Sequence, residues 1–256
     1  MKFHCLTLED RLQFQASIAA IEQIAQYPLG NDFFQIEHGL NYFAFFDRLG
    51  DVHYYVALDG DRVAAVGAGI LRQLSDSLAW YLCDLKVHPD YQRQYLSPRL
   101  LRSALGGNQQ KCARLYAILM NPSRLASIYQ RFPFLQFRHA TTLNLYSLDA
   151  QTMDRFSSLV VAHRSTISYL SLQGIKDLRL ASTGGIFPLL HVQWGATAGL
   201  GYSNPLPGYA HMFCTPENDE LAIAIASQGI SPIATATVIS QGMDDWDWRF
   251  ILTSEI

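Results

Sequence analysis

The sequence predicts an α+β fold: a mixed sheet flanked by helices, followed by a second, smaller α+β domain. Three observations predict it. Residues 53–87 read as three apolar runs separated by tight turns, the pattern of consecutive antiparallel strands. Residues 98–148 then alternate helix, strand, helix, strand. After Asp149 the pattern restarts with a new amphipathic helix, which divides the chain into 1–150 and 151–256.

Composition bounds the function. Of 256 residues, 49% are hydrophobic and 16% charged. A charged share below the usual ~25% means extensive buried surface. A net charge of -3 gives no reason to expect nucleic acid or an anionic membrane as partner. The 4 cysteines form no Cys-x-x-Cys pair. His211 and Cys214 have ligand-like spacing but no second pair to complete a metal site, so no metal is expected. The thiols read as small buried hydrophobes in a reducing compartment. Residues 1–10 meet charge too early for a signal peptide, and residues 221–239 are too interrupted to span a bilayer. The expectation is a soluble, cytoplasmic protein.

In chain order, residues 7–25 are helical by pattern. Thr7 is the cap with Asp10 three residues on, and Phe14, Ile18, Ile21 and Ala25 form the apolar stripe. Residues 28–31 end that helix, and a short helix is expected over 42–48. Residues 53–58 and 62–74 are strands joined at Asp59-Gly60, a hairpin signal. Residues 78–87 are the third strand. Residues 88–97 form a loop, and Pro98 suits the first turn of a helix that stops near Gly106-Gly107. Residues 113–120 are a strand, 121–131 a helix and 137–148 a strand. The later stretch gives a helix over 153–169, strands at 178–181, 189–194 and 209–214, a glycine-rich loop at 195–208, a helix at 217–227, and strands at 232–240 and 246–252.

Residues 209–239 echo 115–143. In each, a strand leads into a proline at a helix start, and a Thr-rich strand follows. Strand–helix–strand units of this kind are common, so the echo reads either as chance or as a decayed, truncated repeat of the first half. Ile223 or Ile225 stands where the first copy has Tyr129, which argues against a second site of the same kind.

Chemistry concentrates between residues 78 and 131. The strand exit Leu82-Cys83-Asp84-Leu85-Lys86-Val87-His88-Pro89-Asp90-Tyr91-Gln92 leads into the loop Gln92-Arg93-Gln94-Tyr95-Leu96-Ser97. Asn121, Ala126 and Tyr129 follow on one helix. A strand, a loop and a helix N-terminus in that order make an anion site, because the first helical amides lack internal partners. Together the three segments resemble the GNAT-type N-acetyltransferase superfamily over roughly residues 1–150. The loop departs from the family pattern: Tyr95 and Ser97 stand where glycines are usual, and Pro98 removes one amide.

The resemblance implies transfer of an acetyl group from acetyl-CoA, as co-substrate, to an amine by direct attack. Backbone at Leu85 and Val87 would pair with the pantetheine arm. Amides of Arg93, Gln94, Tyr95, Leu96 and Ser97, beside Gln92, would hold the pyrophosphate, and Asn121 would support the arm. Tyr129 would protonate the leaving thiolate, and Asp84, or water held by it, would take the amine's proton. Each has a plainer reading: Tyr129 as a rim tyrosine, Asn121 as a helix cap, Asp84 as a paired structural carboxylate. The acceptor is a small-molecule or peptide amine, and a homodimer is open. The alternative is a catalytically degenerate member that binds acyl-CoA or a partner in a regulatory role.

Overall fold

The computed structural model describes residues 1–74, 77–108, 112–120 and 130–256, without the side chains of 107 and 108. Asn121 and Tyr129 therefore lie outside the described residues. The described strands form a ten-stranded sheet in the order β1 (Lys2–Cys5), β4 (Asp51–Asp59), β5 (Arg62–Leu74), β6 (Ser77–Val87), β7 (Leu115–Leu119), β13 (Ala234–Gln241), β8 (Arg138–Leu148), β12 (Ala210–Pro216), β11 (Leu189–Trp194) and β9 (Ile167–Leu170), and a small sheet of β10 (Asp177–Leu180), β3 (Asp32–Glu37) and β2 (Tyr27–Leu29). The large sheet is mixed: β6 (Ser77–Val87) and β7 (Leu115–Leu119) run parallel, as do β11 (Leu189–Trp194) and β12 (Ala210–Pro216). Its other pairs are antiparallel.

Helix α1 (Leu8–Glu22) begins where expected. Thr7 accepts from the Asp10 amide, and the Asp10 carboxylate accepts from the Thr7 amide. Its buried stripe is Ile18, Ile21 and Glu22; Leu8 and Leu12 stay exposed. Alternation along β4 (Asp51–Asp59) sets the two faces of the sheet. Tyr54 and Val56 join the core that contains Ile18, while Ala57 joins Leu96 and Leu100 of α3 (Leu96–Asn108). Helices α1 and α3 thus cover opposite faces of the β4-β5-β6 sheet, where β5 is Arg62–Leu74. In the second half, α4 (Ala150–Arg164) and α5 (Glu220–Ser227) bury Met153, Val160, Leu221 and Ile225 against Phe213 and Val192. Among the described residues, no helix is long and apolar enough to cross a membrane.

Several expectations change. β1 (Lys2–Cys5) is an edge strand of four residues, too short to carry a period. Residues 27–37 are a hairpin, β2 (Tyr27–Leu29) and β3 (Asp32–Glu37), turning at Gly30 with φ 59. The short helix expected there is α2 (Ala44–Asp47). The helix expected to run to 169 stops at Arg164 because Ser165 takes φ 64; β9 (Ile167–Leu170) follows. Residues 246–252 are not a strand. Two 3-10 turns occupy Trp248–Phe250 and Thr253–Glu255, and Trp248 is buried against Tyr116 without a ladder partner.

The echo is real at the level of topology. Each half has a parallel pair, β6 with β7 or β11 with β12. The strand beside each pair comes from the other half: β13 (Ala234–Gln241) pairs with β7, and β8 (Arg138–Leu148) with β12. β8 and β13 then pair with each other at the centre of the sheet. A cut at residue 150 divides the sequence but leaves the sheet continuous through it.

Candidate active site

β6 and β7 pair only over Trp80–Leu82 with Leu115–Ala117 and then part. The parting coincides with a bulge. Val66 faces Lys86 and Ala68 faces Cys83, so Gly67 stands opposite both Asp84 and Leu85. Asp84 takes φ 56 to make the extra residue fit. A Cβ on Gly67 would stand 3.2 Å from Leu85 Cδ1, a contact that a small shift of that exposed side chain relieves. Beyond the bulge lies a groove of ≈ 840 Å³ between β6, β7 and α3.

The predicted residues fall around this groove. Leu85, Val87, Gln92 and Ser97 line it. Arg93 and Tyr95 adopt φ 66 and φ 54, the left-handed conformation that glycine would supply. The Tyr95 ring turns outward and is 74% exposed, so it does not fill the slot. Arg93 and Gln94 are exposed, and Leu96 is buried beneath the loop, which leaves its backbone amide as its only polar donor. The first turn of α3 leaves amides without helical partners, apart from Pro98, which has none to offer.

On the inner side of the bulge is a second cavity of ≈ 190 Å³. Tyr27, Pro28, Cys83, Asp84, Lys86, Ile118 and Met120 belong to both spaces, so cavity and groove meet at the parting strands. Asp84 is buried there and accepts from Tyr42 Oη at 2.8 Å, from Tyr54 Oη and from the Lys86 ammonium. Lys86 also pairs with Glu22 of α1. Burial alone would raise the Asp84 pKa, but Lys86 and the two phenols outweigh it and hold the carboxyl below its usual range. Glu22 goes the other way: burial raises its pKa, the Asp84 charge adds to this, and Lys86 only partly offsets them. Burial likewise opposes the Lys86 charge, yet the two carboxylates keep its pKa above the usual lysine value. Two acids with opposed pKa values now flank one cation.

Sequence reasoning singled out Asp84 alone of this cluster. Lys86 carried a signal, since Asp-x-Lys inside an apolar strand puts opposite charges two residues apart. Glu22 carried one too, standing four residues after Ile18 on the buried stripe. Tyr42, Tyr54, His38 and Lys176 left no local trace. Lys176 arrives through β10 (Asp177–Leu180), which pairs with β3 and is locked by Arg179 on Glu37 at 2.5 and 2.8 Å.

The second half repeats the parting. β11 and β12 pair through Leu189–His191 and Ala210–Met212 and then diverge. Here the chain's own residues occupy the notch. The Thr253 hydroxyl donates to the Met212 carbonyl at 3.0 Å and meets His191 Nδ1 at 3.0 Å. Gln193 bonds Ser254, and Trp194 Nε1 donates to the Arg249 carbonyl. His191 and His211 are buried and hydrogen-bonded.

A parallel strand pair that opens at a bulge above a loop and helix N-terminus defines an acyltransferase-type fold. Residues 19–132 match the model of the acetyltransferase (GNAT) family, and over that stretch the chain is GNAT-like. Over the whole chain, the fold resembles a tandem GNAT protein from the clavulanic acid biosynthesis pathway. That match has a TM-score of 0.54 and 13% identity, and covers 94% of this chain and 98% of the other. A candidate acetyltransferase from Pyrococcus horikoshii matches with a TM-score of 0.52 and 12% identity, over 98% of this chain and 92% of that one. In sequence, an uncharacterized protein, L340, of Acanthamoeba polyphaga mimivirus is 23% identical over 233 residues, 84% of this chain and 68% of the relative. The chain is thus α+β with two GNAT-like halves sharing one sheet.

Proposed function

We infer that this chain is an acetyl-CoA-dependent N-acetyltransferase acting by direct attack. Residues 1–150 would carry the thioester site, and 151–256 would wall the acceptor pocket. The observation that carries this reading is the parting of β6 and β7 at the Asp84 bulge, with one space on each side of it. The groove fits the co-substrate: backbone at Leu85 and Val87 borders it, and the left-handed loop turns the Tyr95 ring away. When bound, acetyl-CoA supplies an activated acetyl thioester.

The protein's own groups do the rest. Amides from Arg93 to Ser97 would hold the pyrophosphate, and Asn121 would support the arm. An amine entering the inner cavity gives one proton to Glu22, whose raised pKa makes it the better base; Asp84 positions Lys86 beside it. The nitrogen bonds to the acetyl carbonyl carbon as the carbon–sulfur bond breaks. Tyr129 gives the thiolate a proton and recovers one from the new amide nitrogen.

Calorimetry with acetyl-CoA, followed by thiol release in the presence of amines, tests this. Absence of heat at millimolar acetyl-CoA would overturn the cofactor assignment. Glu22→Gln is expected to lower kcat on the order of a hundredfold, the loss typical of a general base, with acetyl-CoA affinity kept.

A second reading has its own support: Tyr95, Ser97 and Pro98 replace the open loop with side chains and one missing amide. On that reading the chain binds acyl-CoA without turnover. Tyr129→Phe separates the two. A rate that falls on the order of a hundredfold fits the enzyme, and an unchanged rate removes the tyrosine's role.

A further inference from the structure

The inner cavity carries more charge than acetyl transfer needs. On one wall stand Glu22, Lys86 and Asp84, where Asp84 and Lys86 compensate each other. On another stands Lys176, delivered from the second half, with Nζ 4.2 Å from the Phe45 ring centroid. Among the described residues, no carboxylate lies within ion-pairing distance of that Nζ. His38 lines the same cavity, is only 7% exposed, and keeps a buried Nδ1 with no hydrogen-bond partner. A cation and an imidazole nitrogen thus stand unmatched in a space that Phe34, Phe45, Phe46 and Tyr81 help to wall. A buried charge and an unpaired polar atom are costly unless something pairs with them.

We propose that the acceptor is a small apolar amino acid, held by its free carboxylate at Lys176 and His38 and presenting its amine to Glu22 at the parted strands. This rests on reading the inner cavity as the acceptor side. The charges balance: the ammonium meets Glu22, the carboxylate meets Lys176, and the Asp84–Lys86 pair is undisturbed. The size agrees. The cavity, at ≈ 190 Å³, has room for a small residue. A peptide N-terminus lacks the carboxylate that Lys176 would pair with. The aromatic walls favour an apolar side chain, and the two like-charged lysines disfavour a polyamine.

The test compares L-leucine, L-leucinamide and isopentylamine, which share a side chain and differ at the carboxylate. With the full chain and saturating acetyl-CoA, kcat/KM for leucine is expected to exceed that of either analogue on the order of a hundredfold, the cost of leaving a buried charge unpaired. Lys176→Met should abolish that preference, and Lys176→Arg should keep most of it. Calorimetric titration of the same three ligands into the CoA-saturated protein asks the question without turnover, with the same ranking expected. If isopentylamine or leucinamide is acetylated as well as leucine, the acetyltransferase reading stands and this proposal falls. The proposal also falls if Lys176→Met leaves the ranking unchanged, or if leucine shows no heat. If acetyl-CoA itself does not bind, the parent reading falls first, and leucine binding to the free protein then decides this one.

Discussion

At the scale of single residues, the decisive group is Lys86, because it is shared by two buried acids. Lys86→Met would leave both carboxylates without a counter-charge. The expected loss is about 3 kcal/mol, the usual cost of breaking a buried pair by removing one partner, read as a drop in the urea midpoint. Lys176 gives a signature in pH. Burial brings its pKa down to about 8; Glu22 of α1 and Cys83 of β6 push it up, while Lys86 of β6 and Arg48 push it down. A lysine loses its charge as pH rises through its pKa, so KM for leucine should climb above pH 8 while KM for isopentylamine does not. In Lys176→Arg the climb should vanish from the measurable range. The acid side belongs to Asp10, whose pKa falls from 3.8 to about 2 through its hydrogen bonds to Thr7 and His4. A carboxyl lowered by folding stabilises above its unfolded value and loses that contribution as pH falls through the folded one. Protection of the amides at the start of α1, relative to their unstructured exchange rates, should therefore fall between pH 4 and 2, and Asp10→Asn should remove that dependence. Asp10 was legible from sequence as the partner of the Thr7 cap, whereas of the buried cluster only Asp84 was singled out. A strand's pattern tells which face a side chain takes, but not which distant helix or hairpin will cover it.

At the scale of elements, the loop before α3 is the clearest case of a pattern altered without loss of geometry. Tyr95 keeps the left-handed backbone that a glycine would occupy. A side chain costs roughly 1–2 kcal/mol in that region, most for a β-branched residue. Tyr95→Val should lower stability by about that amount, whereas Tyr95→Gly should be close to neutral because gained freedom in the unfolded chain offsets the relief. Equilibrium denaturation of the two variants checks the contrast. What sequence could see at this scale follows from how local each signal is. The Asp59-Gly60 hairpin and the Thr7 cap lie within a few residues and came through. The β2–β3 hairpin was hidden among aromatics whose burial is shared by helix and strand alike. β9 was hidden because Ser165 breaks the helix without glycine or proline to mark it.

At the scale of the whole molecule, the two halves exchange their central strands. β13 fills the place between β7 and β8, and residues 248–255 occupy the notch between β11 and β12. The same segment reaches back to the first half: Arg48 donates to the Ser254 carbonyl at 2.6 Å, and Arg72 pairs with Glu255 at 2.7 Å. Deleting residues 234–256 should therefore unfold the thioester side as well as the second half. Circular dichroism and solubility of a chain ending at 233 would show it, and a soluble, acetyl-CoA-binding fragment would contradict the shared sheet. The internal echo was readable as a repeat, but an exchange of strands between repeats joins residues more than a hundred positions apart and leaves no local mark.

The central place of β13 also sets a clock on biogenesis. A ribosome adds residues at ~5–20 per second, so on the order of ten seconds separate the emergence of β8 from that of β13. Through that interval the nascent chain carries β7 and β8 with open edges, the condition under which strands join the wrong neighbour. The groove beside α3, which Ile239 of β13 helps line, is thus completed only once β13 has emerged.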